Sequence, residues 1–125
     1  YQTPILAELA ELVITIERLP ALAKKARSLL DSLGYKNIKV HLAEPTLGWP
    51  TEAPYDAIIV TAGAPKVPDA LLEQLVIGGQ LVVPVGSRYE QDLYKITRGR
   101  KTNVVQSLGG CRFVPLIGKD AWEKE

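Results

Sequence analysis

With 125 residues, 46% apolar content, and fifteen basic against fourteen acidic side chains for a formal charge of +1, the chain has the size and balance of one globular domain with a single core. Its longest basic cluster, Arg98-Gly99-Arg100-Lys101, is too short for a nucleic-acid footprint and reads as a solvated hairpin tip. No apolar run approaches the ~20 residues that cross a bilayer and no targeting segment opens the chain, so no membrane contact and a cytoplasmic location are expected.

Thr3 and Pro4 look like the cap and first residue of an opening helix, with Ile5, Leu6, Leu9 and Leu12 as its apolar stripe. Val13-Ile14-Thr15-Ile16 is a β-branched run, a strand that terminates at the carboxylate of Glu17. From Leu19 to Leu33 the apolar residues Leu19, Leu22, Ala23, Ala26, Leu29, Leu30 and Leu33 follow a helical period, with Pro20 at the start and Gly34 at the C-terminal cap. Asn37 to Leu42 alternates weakly as a third strand candidate, and Ala43 to Pro50 is a loop punctuated by prolines and glycine.

The run Tyr55-Asp56-Ala57-Ile58-Ile59-Val60-Thr61-Ala62 is short, rich in Ile and Val and ends in small residues, as expected of a strand buried on both faces whose tip leaves room for a ligand. Pro68 suits the first position of a crossover helix with Leu71, Leu72 and Leu75 on one face, and Gly78-Gly79 stops that helix before Leu81 to Val85 resumes the sheet. Asp92 to Thr97 pairs with Thr102 to Leu108 in an antiparallel hairpin. The order predicts a single domain, residues 1–125, built as an open α/β sheet with an antiparallel edge.

Ligands of open parallel sheets occupy the crevice beyond the carboxyl ends of the strands, and Glu17, Glu44 and Thr61-Ala62 map to that edge. An acidic residue at the end of a second strand, ~20 residues after a glycine-rich turn, accepts hydrogen bonds from ribose hydroxyls. Glu17 fits that spacing if the glycines lie just before Tyr1; it equally fits a solvated carboxylate at a helix start. Cys111 is the sole cysteine, which excludes an internal disulfide and a cysteine-based metal cage within one chain. It reads as a half-buried edge-strand residue, His41 as an ordinary strand residue, and Trp49 and Trp122 as covers for a core or a crevice edge. There is no methionine, so Tyr1 is not a translated start and the chain reads as processed or as a fragment.

The Ala-Pro-Tyr-Asp strand at Ala53, the Pro65-Lys66-Val67-Pro68 turn, Gln74-Leu75, Gly78-Gly79 and Pro84-Val85-Gly86 resemble the protein-L-isoaspartate O-methyltransferase family. Ile16-Glu17-Arg18-Leu19-Pro20, Leu33-Gly34-Tyr35 and Phe113-Val114-Pro115-Leu116-Ile117-Gly118 extend the resemblance over nearly the whole sequence. It implies a Rossmann-like fold lacking the usual first strand and its glycine-rich turn. It also implies S-adenosylmethionine as cofactor and methyl transfer to the carboxylate of L-isoaspartyl residues in damaged proteins or peptides, a protein repair reaction. Glu17 would hold the ribose. Glu44 stands where the family has an aspartate between glycines that receives the adenine amino group, but Ala43-Glu44-Pro45 cannot follow that path unaltered, because Pro45 fixes its φ and lacks a donor. Glu44 is therefore an adenine contact or an exposed loop acid. Thr61, Ala62 and Val114 would form part of a substrate wall or serve packing. No catalytic acid or base is assigned, and the chain alone is expected to be inactive. Two rivals stand beside this reading: a non-catalytic α/β association module or family remnant, and a nicotinamide dinucleotide enzyme.

Overall fold

In the computed structural model, which describes residues 8, 10, 12–42, 47–117 and 121–122, the β-branched run becomes β1, Val13–Glu17. The opening helix expected from Thr3 lies almost wholly outside the described residues, as does Glu44. The chain divides into two units, Tyr1–Glu44 and Pro45–Glu125.

In the first unit, β1 pairs in parallel with β2, Ile38–Leu42, through helix α1, Pro20–Ser32. Pro20 opens α1 because its missing N–H would have no partner in a first turn. At the other end Gly34 adopts φ +82, its N–H donates to Asp31 C=O at 3.1 Å, and the Tyr35 N–H donates to Leu30 C=O at 3.3 Å. These two reversed bonds satisfy carbonyls that the helix leaves open, and only glycine takes that φ without steric cost. Ala23, Leu30 and Val40 form the core, joined by Tyr35 and Ile38. Of the seven apolar positions expected on one face of this helix, only Ala23 and Leu30 are buried, while Leu19, Leu22, Leu29 and Leu33 are 45 to 59% exposed. A sheet of two strands covers only part of so wide a stripe.

The second unit contains a four-stranded sheet in the order β3, Tyr55–Ile59; β4, Leu75–Gly86; β5, Gln91–Thr97; β6, Val104–Cys111. β3 and β4 run parallel, whereas β4–β5 and β5–β6 are antiparallel, so the α/β architecture and the expected hairpin are present. Leu81 and Val83 alternate inward along β4 and, with Leu47, Ala64, Leu71, Leu75 and Ile96, make the core.

Two expectations need correction. Ile59 is 44% exposed, and Asp56 and Ala57 are exposed too, so β3 is not buried on both faces; it is an edge of its sheet. The crossover helix α2 is only Asp69–Glu73, with Pro68 as its N-cap residue rather than its first helical one. Leu75 opens β4 opposite Tyr55. Gly78-Gly79 does not stop a helix. It lies in a bulge of β4, since Tyr55 faces Leu75 but Ala57 faces Gln80, and there the Gly78 N–H donates to Arg98 C=O at 2.7 Å while the Arg98 N–H donates to Gly79 C=O at 2.9 Å. Gly78 has φ +86, so the glycine requirement is real but comes from the bulge.

Candidate functional site

Parallel pairing puts Glu17 opposite Leu42, each the last residue of its strand. The Glu17 side chain is half-buried, and its Oε1 accepts the Leu19 N–H at 3.1 Å. Leu19 in turn is the N-cap residue of α1, whose C=O takes the Ala23 N–H at 3.0 Å. The carboxylate is thus steadied at a strand-to-helix turn by one bond, and with about four lone-pair sites it retains acceptor capacity for a pair of vicinal hydroxyls. The helix-start role and the ribose role are compatible in this geometry.

Thr61 is exposed and Ala62 half-buried just past the end of β3. The next two residues stitch the chain in place on both sides. Ala64 donates to Pro84 C=O at 2.8 Å and accepts from the Gly86 N–H at 2.9 Å; Gly63 donates to Val114 C=O at 2.6 Å and accepts from the Leu116 N–H at 2.8 Å. Thr61-Ala62 and Val114, far apart in sequence, are therefore neighbours. Val114 is 71% exposed, so its side chain is not part of the core of this unit.

Sequence reasoning passed over the two polar residues buried among the described ones, Gln74 and Gln91. Gln74 grips a loop from both sides: its Oε1 accepts the Trp49 N–H at 3.0 Å and its Nε2 donates to Leu47 C=O at 2.9 Å. Gly48 sits between them at φ +75, where a Cβ would come within 2.4 Å of Gln74 Oε1. The Tyr55 hydroxyl donates to Trp49 C=O, and the Tyr55 N–H donates to Gln74 C=O at 2.7 Å. Burial first, and then the Glu52 carboxylate, push the Tyr55 hydroxyl above its ordinary 10.0. A tyrosine that ionises later when folded stabilises the fold below pH 10.0 and loses that contribution as pH climbs from the unfolded value through the folded one. Tyr55→Phe is expected to lower stability near neutral pH by about 1 kcal/mol, the lost hydrogen bond. It should also flatten the decline above pH 10.0, read as urea midpoints across that range.

Val85, Gly86, Ser87, Glu90, Gln91, Asp92, Gly110, Cys111 and Arg112 line an open cleft of about 650 Å³. Arg112 and Glu90 form an exposed ion pair of 3.2 Å across it, which contributes little to stability. Burial and the Asp92 carboxylate raise the Cys111 thiol above its ordinary value, so it stays protonated near neutral pH and is a poor nucleophile. Arg88 lies 4.9 Å over the Trp122 ring, and the Trp122 N–H donates to Leu116 C=O at 2.9 Å, fastening the end of the described chain beside the Gly63–Val114 contact. Among the described residues no helix is long and apolar enough to cross a membrane.

Comparison with known proteins gives consistent matches. The family model of protein-L-isoaspartate(D-aspartate) O-methyltransferase matches residues 1–121. The chain is 57% identical over 123 residues to protein-L-isoaspartate O-methyltransferase 1 of Syntrophobacter fumaroxidans, covering 98% of this chain and 58% of that protein. It is 54% identical over 125 residues to the enzyme of Syntrophus aciditrophicus, covering 98% of this chain and 57% of that one. Among solved structures, a protein-L-isoaspartate O-methyltransferase aligns with TM-score 0.78 at 27% identity, over 88% of this chain and 35% of its own. A Plasmodium falciparum relative, solved in complex with S-adenosyl-L-homocysteine, aligns with TM-score 0.66 at 25% identity, over 82% of this chain and 51% of its own. The chain thus spans a little over half the length of these curated relatives.

Proposed function

Because the chain belongs to the protein-L-isoaspartate(D-aspartate) O-methyltransferase family, we propose that it is part of a single methyltransferase domain that transfers a methyl group to the free carboxylate of L-isoaspartyl residues in damaged cytoplasmic proteins or peptides. The observation that carries this reading is the family match over residues 1–121. S-Adenosylmethionine would supply the methyl group on a sulfonium leaving group. Glu17 would hold its ribose, and the acceptor capacity left beside the Leu19 bond fits vicinal hydroxyls. Glu44 remains an adenine contact by proposal. Thr61, Ala62 and Val114 would wall the acceptor.

An isoaspartyl carboxylate is already ionised near neutral pH, so no proton moves in the substitution and no general base is needed. Orientation of the acceptor oxygen and exclusion of water supply the rate. A protonated Cys111 and a wall made of Thr61, Ala62 and Val114 suit that chemistry. The sequence contains no Gly-x-Gly turn, and among the described residues β1 and β3 each pair on one side only. The 125-residue chain by itself is therefore read as inactive in methyl transfer.

A second reading, a non-catalytic association module, draws on β6. Val104, Val105 and Leu108 along this edge strand are 67, 57 and 47% exposed, a surface open to strand addition. Calorimetric titration with S-adenosylhomocysteine and with NAD decides. Binding of the first alone is expected. Binding of NAD alone would transfer the Glu17 role to a nicotinamide cofactor, and binding of neither, with sedimentation showing self-association, would establish the association module instead.

A further inference from the structure

Gln91, the first residue of β5, is 4% exposed, and its amide is committed at both ends. Oε1 accepts the Phe113 N–H at 2.8 Å, and Nε2 donates to Ser87 C=O at 2.8 Å. The same side chain lies flat against Gly63, where a Cβ would come within 2.6 Å of Gln91 Cδ. Three segments with no strand in common therefore converge on one amide: the Ser87 turn between β4 and β5, the stretch after β6, and the stretch after β3.

We propose that Gln91 is a positioning residue for the methyl acceptor. By holding Phe113 on one side and Gly63 on the other it sets the spacing between Val114 and Thr61-Ala62, and so the width of the groove that receives the peptide around the isoaspartyl residue. This rests on the acceptor-wall reading of those three residues. A glutamine is required because the site needs an acceptor for Phe113 and a donor for Ser87 at once. Glutamate cannot donate to a carbonyl when ionised, and its charge would be buried. Leucine leaves both backbone groups unsatisfied, while the absence of a side chain at Gly63 lets the amide pass.

The strands do not depend on this side chain, since Gln91 pairs with Gly86 and Cys111 through its backbone. That separates positioning from general support. In Gln91→Leu, amide hydrogen exchange of the intact chain is expected to lose roughly tenfold protection at Phe113, Gly63 and Leu116. Val83 and Ile96, inside the sheet, should keep theirs. In the presence of S-adenosylhomocysteine, affinity for an isoaspartyl peptide is expected to fall by roughly tenfold as well, with the affinity for S-adenosylhomocysteine itself unchanged. Gly63→Ala, which presses on the same amide from the other side, should reproduce the peptide defect.

Unchanged protection at the three amides, or equal loss at Val83 and Ile96, overturns the proposal. So does a Gln91→Leu chain that binds the isoaspartyl peptide as the unaltered one does. If the unaltered chain fails to distinguish an isoaspartyl from an aspartyl peptide, the acceptor reading itself falls, and the Gln91 role falls with it.

Discussion

Leu81→Ala is expected to destabilise the second unit by about 3–5 kcal/mol, the upper range for a leucine removed from a core that cannot close over the gap. Leu81 is fully buried, 0% exposed, at a point in β4 where backbone bonds fix both neighbours: it faces Ile58 across the parallel ladder and Ile96 across the antiparallel one. Collapse into the void would require one of those ladders to shift register, which moves side chains to the wrong face. The void therefore persists. Against a total stability on the order of 5–15 kcal/mol for a domain, this single change should lower the urea midpoint strongly. Val104→Ala is the control, because Val104 is 67% exposed on β6 and should shift stability by less than about 0.5 kcal/mol. A Leu81→Ala midpoint close to that of the control would mean that the two ladders do not hold Leu81 as described.

The same contrast explains which parts of the fold were legible in the sequence. β1, α1, β2 and the hairpin announce themselves through local chemistry: β-branching up to Glu17, a helical period from Pro20, and a glycine at the one C-terminal position where φ must be +82. The region from Pro68 to Gly79 misleads because Leu71 and Leu75 have helical spacing and both are buried, at 3 and 1% exposure. Burial cannot say whether Leu75 reaches the core from a helix or from a strand. What decides is a long-range bond, Tyr55 N–H to Gln74 C=O at 2.7 Å, which no local pattern reveals. Gln74 and Gln91 escape notice for a related reason. A glutamine looks like surface until the backbone groups that it satisfies are known, and apart from Ser87 those lie more than twenty residues away in Leu47, Trp49 and Phe113. For the candidate site, the strand-end carboxylate and the small tip after β3 could be read directly, but the fastening that brings Thr61-Ala62 to Val114 could not.

Glu17→Ala is expected to weaken S-adenosylhomocysteine binding by tenfold or more, since each charge-assisted bond to a ribose hydroxyl contributes roughly 1.5–3 kcal/mol and two are available. The difficulty is that Glu17 already has a structural task. Its Oε1 accepts the Leu19 N–H at 3.1 Å, so truncation frees that donor and is expected to cost about 0.5–1.5 kcal/mol of stability by itself. Glu17→Gln separates the two tasks. A glutamine oxygen can still take the Leu19 N–H, so stability should stay near that of the unaltered chain. It offers the ribose a neutral acceptor in place of a charged one, so affinity should fall to a value between the parent and Glu17→Ala. Calorimetric affinities and urea midpoints for the three chains then give two independent orderings. If Glu17→Ala loses stability while all three bind S-adenosylhomocysteine alike, the carboxylate serves only the entry to α1 and the sugar is held elsewhere. If affinity falls in the order expected while Glu17→Gln keeps its midpoint, the residue that starts the helix is also the one that grips the cofactor.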